Sequence, residues 1–437
     1  MLISAPFKTK AGRLNTHEIK NTFLSTFIKM EQKRKPAVGF IFITLLLDVM
    51  GWGIIIPVMP KLIASLKHIP VADASPYGAW LISAYAITQF VCAPIVGNLS
   101  DKFGRRPVIL ISLFGFAVDY MFLAFAPTYS WLFVGRVIAG VTGASITTAS
   151  AYIADVSTPE TRAKNFGLIG AAFGLGFIIG PTIGGLLGEI STRAPFYGAS
   201  ILCMLNFLYG YFVLPESLPK DKRRKFEWKR ANPLGAMRVL IKHPEIGGLA
   251  LSFFLIYMAV QSVQSNWNYF TMAQFDWKPR MVGISLGVIG VLVAIVQGGL
   301  IRIINPRLGN NRSVYTGLLL YSIGLFLFSF ATQGWMIFVF LIPYCLGGIA
   351  GPAIQAILAG HVPANEQGEM QGAMTSMMSL TSIIGPPIMN YLFFYCTRPN
   401  AVIHFPGAPF FLGGIFMLAS AFIAYTVLRK EKKVALA

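Results

Sequence analysis

Charge is what this chain has least of: 12% of its residues are charged, and seventeen of its 437 residues are acidic. A soluble globule carries roughly one charged residue in four, so that class is excluded. Cysteine is scarce as well. Cys92, Cys203, Cys345 and Cys396 show no CxxC spacing, which argues against a zinc site and against a disulfide framework. No nucleophile triad, metal-ligating cluster or phosphate-cradling loop can be assembled from the polar residues that remain. The chain does not read as an enzyme, and neither a cofactor nor a resident metal is expected. No cleavable signal is expected, because residues 1 to 37 are basic and mixed and lack a small-residue cleavage motif after an apolar core.

What is present is apolar: 55% of the chain is hydrophobic and the mean hydropathy is +0.64. A bilayer is crossed by about 20 such residues. Twelve segments of that kind start near Val38, Gly78, Val108, Trp131, Asn165, Ala194, Glu245, Met281, Ser313, Gly334, Gly368 and Gly407. The expected fold is an all-α integral membrane protein whose surroundings are the lipid bilayer. With the N-terminus placed in the cytoplasm, Lys102, Arg105, Arg106, Arg162, Lys164, the run from Lys222 to Lys225, Arg302, Arg307, Arg312 and the tail from Arg429 to Lys433 all fall on that side. The other side keeps few, among them Lys61, Lys67, Arg193, Lys278, Arg280 and Arg398. This positive-inside asymmetry predicts that both termini are cytoplasmic. It also accounts for the net charge of +19 without a nucleic-acid partner.

The string IIGPTI at 178–183 returns as IIGPPI at 383–388, an offset of 205 residues at which Gly104 also meets Gly309 and Gly167 meets Gly372. Two homologous six-helix halves follow, residues 38–214 and 245–428. A cytoplasmic linker (215–244) joins them, an N-terminal extension (1–37) precedes them and a tail (429–437) ends the chain. The linker is expected to hold an amphipathic helix around Phe226 to Leu240. Residues 1–37 read either as a cytoplasmic extension or as the product of an early start, with Met30 opening MEQKRKPAVGF. Two such halves related about the membrane normal place a substrate site at the midplane between them.

Against the general lack of charge, Asp48 and Asp119 each sit in the middle of an apolar segment, about 15 to 18 Å deep at 1.5 Å per residue. Ionisable groups there cost several kcal/mol and usually mark proton or substrate pathways, although a paired structural carboxylate is the alternative. Arg136, in GRVIAGVTGAS, either snorkels to the interface or faces the interior, where it would pair with a carboxylate. The loop GNLSDKFGRRPV joins Gly97, Asp101, Gly104, Arg105 and Arg106. Its glycines permit close packing, Asp101 is placed to bond a neighbouring helix N-terminus, and Asp155 is the expected partner of Arg105. The fifth segment carries Gly176, Gly180, Pro181, Gly184 and Gly185, a close-packing face with a site where a kink is permitted. In the seventh segment Gln261, Gln264, Ser265 and Asn268 share one helical face, which is read either as helix-to-helix glue or as a cavity lining. Tyr85, Gln89, Gln297 and Gln355 would extend that lining.

Together these residues resemble the tetracycline/proton antiporters of the major facilitator superfamily. The resemblance runs from about Val38 to Leu428 and rests on LLLDVMGWGIIIPVMP, SDKFGRRPV, AVDYMFLAFAP, GRVIAGVTGAS, the fifth-segment motif and EQGEMQG near Glu366. It implies exchange of an incoming proton for an outgoing small amphipathic drug, with Asp48, Asp119 and Arg136 in proton coupling and tetracycline leaving as a metal chelate. It further implies that the loop around Asp101 and Arg105 latches the halves in the outward-facing state, and the fifth-segment motif points to the antiporter branch. Two positions depart from it: Val293 replaces a histidine of those exporters, and Tyr321 an acid. A monomer in the inner membrane is expected. Metabolite uptake on the same fold and a non-transporting receptor are the rival readings.

Overall fold

The computed structural model describes residues 38–143, 145–227, 237–243, 246–363 and 366–434. The expected extension 1–37 lies outside the described residues. So does most of the helix expected at 226–240, of which a short helix, Arg238–Lys242, is described.

Among the described residues twelve helices are long and apolar enough to cross a membrane, and they are numbered here in chain order: Gly39–Lys67, Ser75–Phe103, Arg105–Ala124, Tyr129–Val156, Asn165–Ile190, Ala194–Val213, Gly247–Phe275, Pro279–Leu308, Asn310–Ser329, Gly334–Gly360, Gln367–Thr397 and Ala408–Arg429. Each begins within a few residues of the start expected from hydropathy. The even-numbered connections between helices 2 and 3 and helices 8 and 9 lie at the end rich in Lys and Arg, called here the basic face; the other end is the opposite face.

Both halves repeat the same backbone devices. Helix 2 stops at Gly104 (φ +106°) and helix 8 at Gly309 (φ +75°), conformations that a side chain would resist. Helices 3 and 9 then span 20 residues each. Helix 4 is interrupted at Gly143, and helix 10 narrows to a 3-10 turn at the corresponding Gly347–Ile349. Helix 1 is interrupted by a 3-10 turn over Ile56–Val58, which contains Pro57 and comes just before Pro60. The helix containing the fifth span runs unbroken through Pro181, so the kink permitted there does not interrupt it.

Lipid supplies no hydrophobic drive between helices, so close approach has to come from small residues. Helix 5 does this on two sides. A Cβ on Gly180 would stand 2.8 Å from Met50 O and 3.1 Å from Gly53 Cα of helix 1, and one on Gly185 would stand 2.7 Å from Pro279 O of helix 8. Helix 5 therefore packs helix 1 and also carries the N-terminal half onto the C-terminal half. In the latter, Trp267 is fully buried, donates to Ser285 Oγ at 3.0 Å and meets Phe328 edge-on at 5.2 Å.

Cross-half hydrogen bonds gather toward the opposite face. Ser75 Oγ donates to Asn390 O (3.2 Å), Ser83 Oγ to Ile383 O (2.7 Å), Trp80 Nε1 to Tyr391 OH (3.2 Å) and Asn268 Nδ2 to Ile56 O (2.8 Å). Toward the basic face the space opens: at Gly167, Gly170 and Gly174 of helix 5, Gly298 and Gly299 of helix 8 and Gly351 of helix 10, nothing beyond the local backbone of the same helix lies within 4 Å of where a Cβ would be. The halves are closed at the opposite face and part toward the basic one.

Candidate functional site

Helix 3 places Asp119, and helix 4 places Arg136, at the same depth. Arg136 Nη2 donates to Asp119 Oδ2 at 2.7 Å, with the carboxylate fully buried and the guanidinium 6% exposed. Burial of Arg136 removes the snorkelling alternative. The close approach needs Gly135, whose Cβ would stand 3.0 Å from Asp119 Oδ1. The pair is incompletely satisfied, since Asp119 Oδ1 and Arg136 Nε have no hydrogen-bond partner. Such a pair repays its desolvation only through good geometry and further bonds, so one left half-satisfied suits a change of protonation better than it suits stability. Asp48 is half-buried on helix 1, one turn before Gly51, which packs against Cys203 Sγ and Tyr120.

A cavity of about 220 Å³ lies between the halves on the closed side. Helix 1 contributes Trp52, Ile55, Ile56 and Met59, helix 2 Tyr85 and Gln89, helix 4 Arg136, helix 7 Gln261, Gln264, Ser265, Asn268 and Tyr269, and helix 11 Ser382. Arg136 is the one charged side chain among these lining residues. Gln89 Nε2 donates to Tyr85 OH (3.1 Å) and Gly143 O (3.0 Å), and Gln261 Nε2 to Ser382 Oγ (3.1 Å). Trp52 stands edge-on to Phe177 at 5.8 Å. A cavity with an aromatic and aliphatic floor, several amides and one guanidinium suits a flat amphipathic molecule with several polar groups.

Gln297 and Gln355, expected to extend this lining, lie outside it. Gln297 is exposed in a π-type turn, Val296–Leu300, and Gln355 donates to Tyr257 OH at 3.3 Å. Sequence reasoning passed over Trp52, Tyr269 and Ser382. Trp52 was within reach, because it follows Asp48 by one helical turn and so shares its face.

At the basic face Arg105 gathers a cluster. Its Nε donates to Asp155 Oδ2 (3.1 Å), its Nη1 to Ser100 Oγ (2.6 Å), and it pairs with Asp101. Arg106 Nη2 donates to Tyr211 O at 2.8 Å. The carboxylate at the helix 3 N-terminus is Glu216 rather than Asp101: Glu216 Oε1 accepts from Arg105 N at 2.8 Å, and its Oε2 lies against Gly104. Gly97 has open space beside it. These partners belong to helices 2, 4 and 6 and to the start of the linker, so in this conformation the cluster braces the N-terminal half. The EQGEMQG motif forms a second cluster. His243 Nε2 and Glu366 Oε2 stand 2.8 Å apart, and Lys242 Nζ lies 3.2 Å from Glu369 and 3.6 Å from Glu366. The hydrogen bond from His243, with the charge of Lys242 behind it, holds the Glu366 carboxyl below its ordinary range.

Residues 41–386, and again 249–436, match the family model of the Major Facilitator Superfamily. The chain belongs to this superfamily. It is 40% identical to the class C tetracycline resistance protein of Escherichia coli over 83% of this chain and 90% of that protein. To the class G tetracycline resistance protein of Vibrio anguillarum it is 40% identical over 78% and 86%. Among solved structures, the human organic anion transporter MFSD10 (TETRAN) superposes with a TM-score of 0.68 at 23% identity, over 89% of this chain and 98% of that one. The nucleoside transporter NupG superposes at 0.71 and 16%, over 90% and 99%. These two likenesses establish the fold. As a superfamily member the chain is a multi-pass membrane transporter of small molecules and not an enzyme. Within that family frame, Val293 and Tyr321 are not in the cavity lining. Tyr321 packs edge-on against Tyr344 at 5.0 Å, and Val293 is half-buried on helix 8.

Proposed function

We propose that the chain exports a small amphipathic drug of the tetracycline type across the inner membrane in exchange for entering protons, by alternating access. The observation that carries this is the Asp119–Arg136 pair, a carboxylate shut away from lipid and water and bonded to a guanidinium that lines the cavity between the halves. The proton and the cavity occupant act on one and the same pair. Protonation of Asp119 or Asp48 from outside neutralises a costly buried charge and favours opening toward the cytoplasm. Release of the proton to the cytoplasm, assisted by Arg136, is coupled to capture of the drug. The basic face is cytoplasmic, as are both termini. The chain works as a monomer of two halves, 38–214 and 245–428, that rock against each other. Helix 5, with Gly176, Gly180, Pro181, Gly184 and Gly185, is the pivot, and the Arg105 cluster is the cytoplasmic latch. Tetracycline enters as its metal chelate, so the metal is cargo. The tetracycline resistance relatives support the substrate class, and the positions of Val293 and Tyr321 outside the cavity lining leave that class compatible with it.

The test is drug susceptibility of an efflux-deficient bacterium expressing the chain, across tetracyclines and unrelated amphipathic drugs, beside the Asp119→Asn form. Resistance that disappears in the variant, with the protein still in the membrane, is the expected result. Unaltered susceptibility to every drug would send the function toward metabolite uptake.

A further inference from the structure

Asn268 belongs both to the cavity and to the seam between the halves. Its side chain is in the cavity lining, and its Nδ2 donates across the seam to Ile56 O of helix 1 at 2.8 Å. Ile56 O has use for that donor. A carbonyl in an α-helix bonds the N–H four residues on. Four residues on from Ile56 is Pro60, which has no N–H. Helix 1 tightens there into the 3-10 turn Ile56–Val58, whose bonds have poorer geometry, and Asn268 reaches over from the other half as an additional donor. The amide is satisfied at one end only: Asn268 Oδ1 is buried and has no hydrogen-bond partner. A buried acceptor in that condition is a standing cost, relieved when a donor reaches it. Gln261 lines the same cavity but bonds Ser382, a residue of its own half, so it has no comparable hold on the seam.

Resting on the export reading above, we propose that Asn268 is the trigger through which a substrate bearing a hydroxyl, amide or ammonium donor opens the opposite face. A donor in the cavity draws Oδ1 toward itself and the amide turns out of the seam. Ile56 O then loses its second donor, and the opposite face loses one of the hydrogen bonds that close it. Without an occupant the amide stays in the seam and the face remains shut. Substrate recognition and the release of the seam are therefore one motion of one side chain, in the direction that export requires.

Hydrogen exchange of the purified full-length chain tests this, read by mass spectrometry over residues 54–67 of helix 1 and 262–275 of helix 7, with and without tetracycline. In the ligand-free protein Asn268→Ala is expected to speed exchange there roughly fivefold, the factor one ordinary hydrogen bond is worth. Tetracycline should accelerate exchange in the unaltered protein and add nothing in Asn268→Ala. Pro60→Ala gives Ile56 O an N–H of its own, so in that background the Asn268→Ala effect should shrink. Ligand-free exchange in Asn268→Ala equal to that of the unaltered protein overturns the inference while leaving export intact. Equal acceleration by tetracycline in both proteins overturns it too. Failure of tetracycline to bind the unaltered protein, followed by its fluorescence, overturns the export reading and the trigger with it.

Discussion

Consider the loss of either partner of the Asp119–Arg136 pair. The two side chains meet at 2.7 Å with 0% and 6% exposure, so neither has an easy route to solvent in this conformation. Removing one member of a buried pair costs about 3–5 kcal/mol, because the other is left as an uncompensated charge. The two losses are not equivalent. In Arg136→Gln the stranded carboxylate can discharge itself by binding a proton. In Asp119→Asn the stranded guanidinium cannot lose its proton, though it still has the asparagine oxygen as an acceptor and the cavity beside it. Asp119→Asn is therefore expected at about 3 kcal/mol, the lower end of that range, and Arg136→Gln below it. The double variant removes both charges and should lie closer to the unaltered protein than the sum of the two, a coupling of about 1–3 kcal/mol. Thermal denaturation of the four purified proteins in detergent measures this. Additive effects, or two single variants that each cost less than about 0.5 kcal/mol, would mean that the pair is not held as described, and the coupling role built on it would go too.

Three further outcomes follow from the packing and the basic-face clusters. Gly180→Ala drives a Cβ into the backbone of helix 1 and should destabilise by about 1–3 kcal/mol, whereas Gly174→Ala, on the same helix with open space beside it, should be neutral or gain a few tenths from helix propensity; equal midpoints in thermal denaturation would contradict the close contact. Glu366 has its carboxyl held low by His243, so the tie between the linker and helix 11 is fully present at neutral pH. It should be lost as pH falls through that depressed value, below the ordinary glutamate pKa of about 4.3; amide exchange over Arg238–Lys242, corrected for its intrinsic pH dependence, should rise there in the unaltered chain and already be raised at neutral pH in Glu366→Gln. Gln261→Ala should weaken tetracycline binding about fivefold, one hydrogen bond's worth, and Gln297→Ala should leave it unchanged, because only the former lines the cavity; the reverse order in a fluorescence titration would relocate the site.

The helices and their repeat were legible because both follow from local chemistry. Long apolar runs have one solution in lipid, and Gly104 and Gly309 mark turns that other residues resist. The polar face of helix 7 was legible for a similar reason: Gln261, Gln264, Ser265 and Asn268 obey helical spacing and do line one cavity. Gln297 fails that logic because it sits in a π-type turn, a local departure from the helical period that no apolar pattern announces. Glu216 was missed because its partners are set by folding. It lies 111 residues from Arg105, and a helix N-terminus attracts whichever carboxylate the chain brings to it. Nor does sequence say which half closes on what. Asp101 and Arg105 read as a latch between halves, and in this conformation they hold helices 2 to 4 together.

The distribution of strong and weak contacts bears directly on how the halves can move. Asp119–Arg136 joins helix 3 to helix 4, and the Arg105 cluster joins helices 2, 3 and 4, so both sets of ion pairs lie inside one half. What crosses the opposite-face seam is of another kind. Among the described residues it consists of neutral hydrogen bonds from Ser75, Ser83, Trp80 and Asn268, each worth about 0.5–1.5 kcal/mol net, and one ion pair, Arg280–Glu189, at 3.9 Å with both side chains largely exposed. A rocking motion that opens this seam leaves the Asp119–Arg136 pair and the Arg105 cluster in place. Had Asp119 found its partner in the C-terminal half, each turnover would have had to strand a charge at a cost of several kcal/mol. Keeping the pair within one half leaves its protonation, rather than its rupture, as the variable that a transport cycle can use.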